Sequence, residues 1–194
     1  IGSQIVNHNF EDESLTGGIS STMLKDLKIE YVLVGHSEQR NFLKESNSVI
    51  TRKIEKALED HLSIIYCIGE DIDTKNKNET FLFLSEQLDV LGQLQSKHED
   101  KLGSITLAYE PIWAIGSGLN AEKDYIEETH EFIKKYIKHD LGWGNLDIYP
   151  EVLYGGSVNL DNCEEIISST DVDGLLIGGA SLNSETFSKI YNLS

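Results

Sequence analysis

Glu110 closes the apolar run 105–109 and opens the segment Glu110, Pro111, Ile112, Trp113, Ala114, Ile115, Gly116, Ser117, Gly118. A carboxylate at the end of an apolar strand is poorly solvated, and desolvation raises its pKa toward the range of a useful general base. The residues after it are stiff at Pro111, Ile112 and Trp113 and loose at a tip carrying Gly116 and Gly118, which suits a lid with two positions. An ordinary charged strand end followed by a surface loop has the same composition, so both readings stand at this point.

Two further stretches have chemical potential. Gly35-His36-Ser37-Glu38-Gln39-Arg40 follows directly on the apolar run 31–34. A helix beginning at Ser37 or Glu38 would turn its positive dipole end toward His36, lowering the imidazole pKa and favouring the neutral ring as a hydrogen-bond donor. A structural histidine with satisfied nitrogens is the competing reading. His8, His61, His98, His130 and His139 have no comparable setting. Glycines then recur after the last two apolar runs, in Tyr154-Gly155-Gly156-Ser157-Val158 and in Gly174-Leu175-Leu176-Ile177-Gly178-Gly179-Ala180-Ser181. Glycine lets backbone N–H groups approach an anion closely, so two such turns in succession are more specific for phosphate than either alone.

These segments need elements to position them. Short β-branched runs at 4–6, 31–34, 63–66, 105–108, 152–154 and 175–177 alternate with helix-period segments at 20–28, 47–61, 79–97, 121–139, 160–168 and 184–191. Val49, Ile50, Ile54, Ala57 and Leu58 show the spacing of a single buried stripe. Six βα units in succession predict parallel strands joined by crossover helices in one domain spanning 1–194. Either an open doubly wound sheet or part of a closed barrel fits this alternation. No GxGxxG follows the first strand, whereas polar or glycine-rich residues follow strand after strand, and in a barrel all of these meet at one face. A TIM (β/α)8 barrel is therefore the better reading, with about six units present.

Composition narrows the function. With 39% hydrophobic and 25% charged residues and two prolines, the 194-residue chain has the makeup of an ordered globular domain. The 16 Lys and Arg against 33 Asp and Glu leave a net charge of −17, which disfavours nucleic acid and anionic membranes. A phosphate ester can still be held by fixed backbone amides. No run approaches the length of a membrane helix, and 1–4 has no signal-peptide character. Cys67 and Cys163 stand far apart, which fits a reducing, cytoplasmic setting and argues against zinc or iron–sulfur centres.

The stretches 34–38, 108–118, 154–158 and 173–182 closely resemble, in the same order and at fitting intervals, the signature stretches of the triosephosphate isomerase family; Leu15-Thr16-Gly17 and Cys67-Ile68-Gly69-Glu70 match as well. The resemblance covers essentially the whole chain. It implies isomerisation of dihydroxyacetone phosphate and D-glyceraldehyde 3-phosphate through an enediol(ate), without cofactor or metal. By the same resemblance Glu110 carries the proton between the two carbons, and His36 polarises the substrate oxygens. Glu38, Ser37 and Cys67 support them, backbone groups of Gly116, Ser157, Gly178 and Gly179 hold the phosphate, and 111–121 forms the lid. A homodimer joined through the loop around Leu15, Thr16 and Gly17 is also implied.

The match has departures. The family begins with two further βα units, whose first strand supplies an asparagine and a lysine; neither Lys25 nor Lys28 lies in a matching motif. The six units are thus expected to be strands three to eight, with sequence preceding Ile1. Gly18 and Gln39 replace an acidic residue and an arginine at the subunit-joining region, and Leu119-Asn120 is an unusual hinge for the lid. Two alternatives follow: a different phosphate-binding barrel enzyme, or a catalytically impaired fragment that binds phosphate or associates with another chain.

Overall fold

The structure, a computed structural model, describes residues 1–8, 15–115 and 120–193. Of the expected site, Gly116, Ser117, Gly118 and the hinge position Leu119 lie outside the described residues. Among those described, six strands form one parallel sheet in sequential order: β1 (Gly2–Ser3), β2 (Tyr31–Val34), β3 (Ser63–Ile68), β4 (Ile105–Tyr109), β5 (Val152–Tyr154) and β6 (Gly174–Leu175). Because the order never reverses, the doubly wound alternative fails and a partial barrel remains.

The sheet is curled. Gln4, just past β1, and Gly178 and Gly179, past β6, line the same cavity although they come from opposite edges of the sheet. In a flat sheet those edges would stand roughly 24 Å apart at the usual strand spacing. Side-chain alternation agrees with this: Val32 and Val34, Ile64 and Tyr66, Leu107 and Tyr109, and Val152 and Tyr154 are buried on the outer face. Leu33, Ile65, Thr106 and Leu153 are half-buried on the concave one.

Among the described residues eight α-helices connect or follow the strands: α1 (Ser21–Asp26), α2 (Ser37–Phe42), α3 (Asn47–Glu59), α4 (Ile72–Asn76), α5 (Thr80–His98), α6 (Lys123–Lys135), α7 (Cys163–Ile167) and α8 (Ser184–Leu193). The Ser46 hydroxyl caps α3 by accepting the Val49 N–H, and the stripe Ile50, Ile54, Ala57, Leu58 is buried, as its spacing predicts. Packing of α3 on α5, α5 on α6, α6 on α7 and α7 on α8 puts this layer in sequential order too, which leaves the concave face free for a site. None of the described helices is long and apolar enough to cross a membrane.

Most boundaries shift by a few residues from the sequence reading, and three of the differences have local causes or consequences. The first strand is Gly2–Ser3 rather than 4–6, because the Ser3 hydroxyl bonds both the N–H and the C=O of Ile5 and turns the chain out of the sheet. The last strand is Gly174–Leu175 rather than 175–177. The expected helix 121–139 is α6 followed by a π-helical turn, Tyr136–Asp140.

Candidate active site

The strand order brings the expected residues to one end of the sheet. Glu110 directly follows β4, and its N–H continues the ladder by donating to the Ile68 carbonyl at 2.7 Å. Only 2% of its surface is exposed. Close approach of backbone on both sides secures its place. A Cβ on Gly69 would collide with the Glu110 carbonyl, and one on Gly155 would come within 3.0 Å of Glu110 Cγ. At both positions glycine serves packing around the carboxylate, a role legible only once the strands are paired.

The carboxylate faces α2. Its Oε2 accepts the Ser37 N–H at 3.1 Å, and its Oε1 lies 3.1 Å from His36 Nε2. Burial drives the Glu110 pKa up to about 7, opposed by the Ser37 N–H, the Cys67 thiol and the Arg40 guanidinium, and helped by the nearby Glu38 charge. A weakly solvated carboxylate that titrates near neutrality is suited to taking and returning a proton.

His36 is the N-cap of α2, and its Nδ1 accepts the Glu38 N–H at 3.3 Å. The neutral ring must then carry its hydrogen on Nε2, pointing at Glu110. Its pKa is lowered, with burial as the leading cause and Glu38 opposing. The helix start at Ser37 places the ring where the dipole also favours its neutral form. The His36–Glu110 contact is consequently a hydrogen bond from a neutral imidazole and not an ion pair.

The supporting residues divide. Ser37 is buried and acts through its N–H, and Cys67 is buried, unoxidised and within hydrogen-bonding reach of Glu110. Its thiol is held well above its usual pKa, first by burial and then by the Glu110 charge, so it acts as a neutral neighbour. Glu38 is exposed and acts on His36 through its main chain. Gly155, Gly156, Ser157, Gly178 and Gly179 join His36 and Glu110 around a cavity of about 290 Å³. A Cβ on Gly178 or Gly179 would meet nothing within 4 Å, so space for a ligand begins there. Among the described residues, no cluster of three or more His, Cys, Asp or Glu could hold a metal ion.

The partners of two groups of supporting side chains emerge only in the structure. Arg40 donates to the Gly35 carbonyl at 2.8 Å, to Asn47 Oδ1 at 2.8 Å, and to Tyr66 OH and the Cys67 carbonyl, tying the ends of β2 and β3 together. Buried Glu70 accepts from Trp113 Nε1 at 2.8 Å, Tyr125 OH at 2.8 Å and Tyr109 OH at 3.1 Å. Lys75 Nζ lies 3.3 Å over the Trp113 ring. Residues 111–115 therefore rest on Glu70, just past β3.

A wider groove of about 510 Å³ lies at the opposite end of the sheet, between the end of α6 and the segments entering β5 and β6. Its lysines 134 and 135 are engaged by Asp173 and Glu131, and no carboxylate–imidazole pair converges there. The smaller cavity is the one lined by the carboxylate–imidazole pair.

Comparison with known proteins agrees. The sequence profile described as triosephosphate isomerase matches residues 1–194. Proteins of that name from Alkaliphilus oremlandii and Colwellia psychrerythraea are 41% and 42% identical over 187 and 189 residues, covering 95% and 96% of this chain and 73% and 71% of the relatives. A third, from Neurospora crassa, is 41% identical over 177 residues, 91% of this chain and 69% of the relative.

Proposed function

The chain belongs to the triosephosphate isomerase family, with interconversion of dihydroxyacetone phosphate and D-glyceraldehyde 3-phosphate as its function, and from that premise we propose how its residues divide the work. Glu110 takes a proton from the carbon next to the substrate carbonyl, giving an enediol(ate). His36, neutral, offers its Nε2–H to the oxygens on which charge develops. Glu110 then returns the proton to the neighbouring carbon. The substrate's own carbonyl makes the α-proton acidic, so no cofactor enters.

Backbone groups of Gly116, Ser157, Gly178 and Gly179 hold the phosphate in this reading, and Pro111 to Gly118 form the lid. The observation that carries it is the pairing of buried Glu110, with its pKa pushed up to about 7, with half-buried His36, whose Nε2 is 3.1 Å away, on the rim of a glycine-walled cavity. The α-proton of dihydroxyacetone phosphate should exchange with deuterated solvent in the presence of the protein, and Glu110→Gln should abolish the exchange. Exchange surviving that substitution would overturn the base assignment.

The six strands correspond, in this proposal, to strands three to eight of an eight-stranded barrel; their sequential order and the coverage of about seven tenths of the relatives' length support this. A cytoplasmic homodimer completes the reading. The half-exposed apolar side chains of Leu15, Ile19 and Met23, beside Thr16 and Gly17, suit a subunit contact, and the two buried free cysteines suit a reducing compartment. Sedimentation at several concentrations tests the dimer; Leu15→Asp should shift the equilibrium to monomer.

A further inference from the structure

Gln87 lies in α5, in the layer of helices outside the sheet, and is 4% exposed. Its side-chain oxygen accepts the Gly69 N–H at 2.8 Å, and its side-chain nitrogen donates to the Gly69 carbonyl at 3.2 Å. A primary amide presents one donor and one acceptor at a spacing close to that of a neighbouring strand. Gln87 thus acts as a one-residue strand partner at a place where β3 has ended and Gly69 would otherwise have buried, unpaired polar groups.

Gly69 is also the residue whose bare Cα face receives the Glu110 backbone. The next peptide group along, the Glu70 carbonyl, accepts the Ile112 N–H at 3.0 Å. The chain on both sides of the carboxylate therefore rests on Gly69 and Glu70, and Gln87 holds that support from behind. Gln87 is itself anchored: its own carbonyl accepts the Tyr66 hydroxyl at 2.7 Å, and that hydroxyl accepts from Arg40. Gln87 and Gly69 together border a second cavity of about 280 Å³, shared with Arg40, Asn47 and Ile112.

We propose that Gln87 is a positioning residue for proton transfer, clamping both polar groups of Gly69 so that the Glu110 main chain has a fixed surface to lie on. The inference rests on the assignment of Glu110 as the base. Displacing a reacting group by about 1 Å can cost on the order of 10²-fold in rate, so a contact one residue removed from the carboxylate has leverage over turnover.

The test compares Gln87→Met, which keeps the length and removes both hydrogen bonds, with Leu94→Ala, a buried change on the same helix far from the site. Turnover, KM and the titration of the 13C-labelled Glu110 carboxylate are measured for each. Gln87→Met should lower kcat roughly 10- to 100-fold with KM within about twofold, and should move the Glu110 titration below its parent value as the displaced carboxylate becomes better solvated. Leu94→Ala should lower Tm without either effect. If Gln87→Met does not fold, Gln87→Glu, which keeps the acceptor and loses the donor to Gly69, should show a smaller loss of kcat at unchanged KM. The proposal is overturned if the folded Gln87 variants match Leu94→Ala in turnover and leave the Glu110 titration in place. Glu110→Gln separates the two failures: turnover surviving in that variant removes the base assignment, while its loss alongside unaltered Gln87 variants removes only the clamp.

Discussion

The Glu38 main-chain N–H donates to Nδ1 of His36, and this bond decides what His36 offers Glu110. With Nδ1 engaged as an acceptor, the neutral ring has its hydrogen on Nε2, 3.1 Å from Glu110 Oε1. Burial holds the imidazole below its ordinary pKa while it raises that of the carboxylate to about 7. One effect, withdrawal from water, shifts both partners toward their uncharged forms and disfavours the doubly ionised pair.

That relationship sets the first expectation. At pH 7 the 15N spectrum of His36 should show the neutral tautomer with hydrogen on Nε2, and protonation should begin only below the usual histidine range. An imidazolium signal from His36 at neutral pH would refute the hydrogen-bond description.

Shortening the base should separate turnover from binding. Glu110→Asp withdraws the carboxylate by one methylene, about 1 Å, and is expected to lower kcat on the order of 10²-fold while KM changes little. Steady-state kinetics in both directions checks this; near-parent turnover would show that the reacting proton is taken by another group.

Much of this was legible from local sequence. Glu110, His36 and the glycine turns each follow a strand within a few residues, so strand recognition alone delivers them to one end of the sheet. What stayed hidden depends on separation along the chain. Arg40 reaches the β3 end 27 residues away, Gln87 reaches Gly69 across 18 residues, and Tyr125 reaches Glu70 across 55. No periodicity encodes such contacts. Gly69 is another case: glycine there looks like turn chemistry until the Glu110 backbone is laid against it. Helix α4 was missed because five residues are too few for an apolar stripe, although the Asp71 side chain accepting the Thr74 N–H is a readable cap.

Two buried groups should give the stability profile opposing slopes. Glu110 titrates near 7 when folded against 4.5 unfolded, so between these values the folded protein keeps a proton that the unfolded chain has released, and stability falls as pH rises. His130, enclosed by Tyr109 and Tyr154, is lowered from 6.5 to about 4, first by burial. Between 4 and 6.5 it is the unfolded chain that holds the extra proton, so stability falls as pH drops. Each slope amounts to about 3 kcal/mol over its window. They largely cancel in the parent. Glu110→Gln should therefore expose a rise in stability from pH 4 to 6.5, and His130→Phe a fall from pH 4.5 to 7. Denaturant midpoints measured across pH would contradict this if both variants kept the parent profile.

The two glycine classes should respond oppositely to added side chains. A Cβ on Gly179 meets nothing within 4 Å, so Gly179→Val is expected to fold with a Tm close to the parent while its isopropyl group intrudes on the glycine-walled cavity. Inorganic phosphate and small phosphate monoesters should compete with substrate in the parent and lose affinity together in this variant; unphosphorylated triose should compete in neither. Gly69→Ala should do the reverse. Its methyl group would collide with the Glu110 carbonyl, which belongs to the backbone of a central strand end and cannot rotate away, so the strands must part locally. Tm should drop and kcat should fall, since the displaced backbone carries the carboxylate with it, while phosphate affinity should stay near the parent value because the proposed anion site lies in the turns after β5 and β6. Calorimetry and competition assays on the two variants decide the matter: a Gly69→Ala protein with normal turnover would show that the Glu110 backbone has slack, and a Gly179→Val protein with parent phosphate affinity would remove the last strand's turn from the anion site.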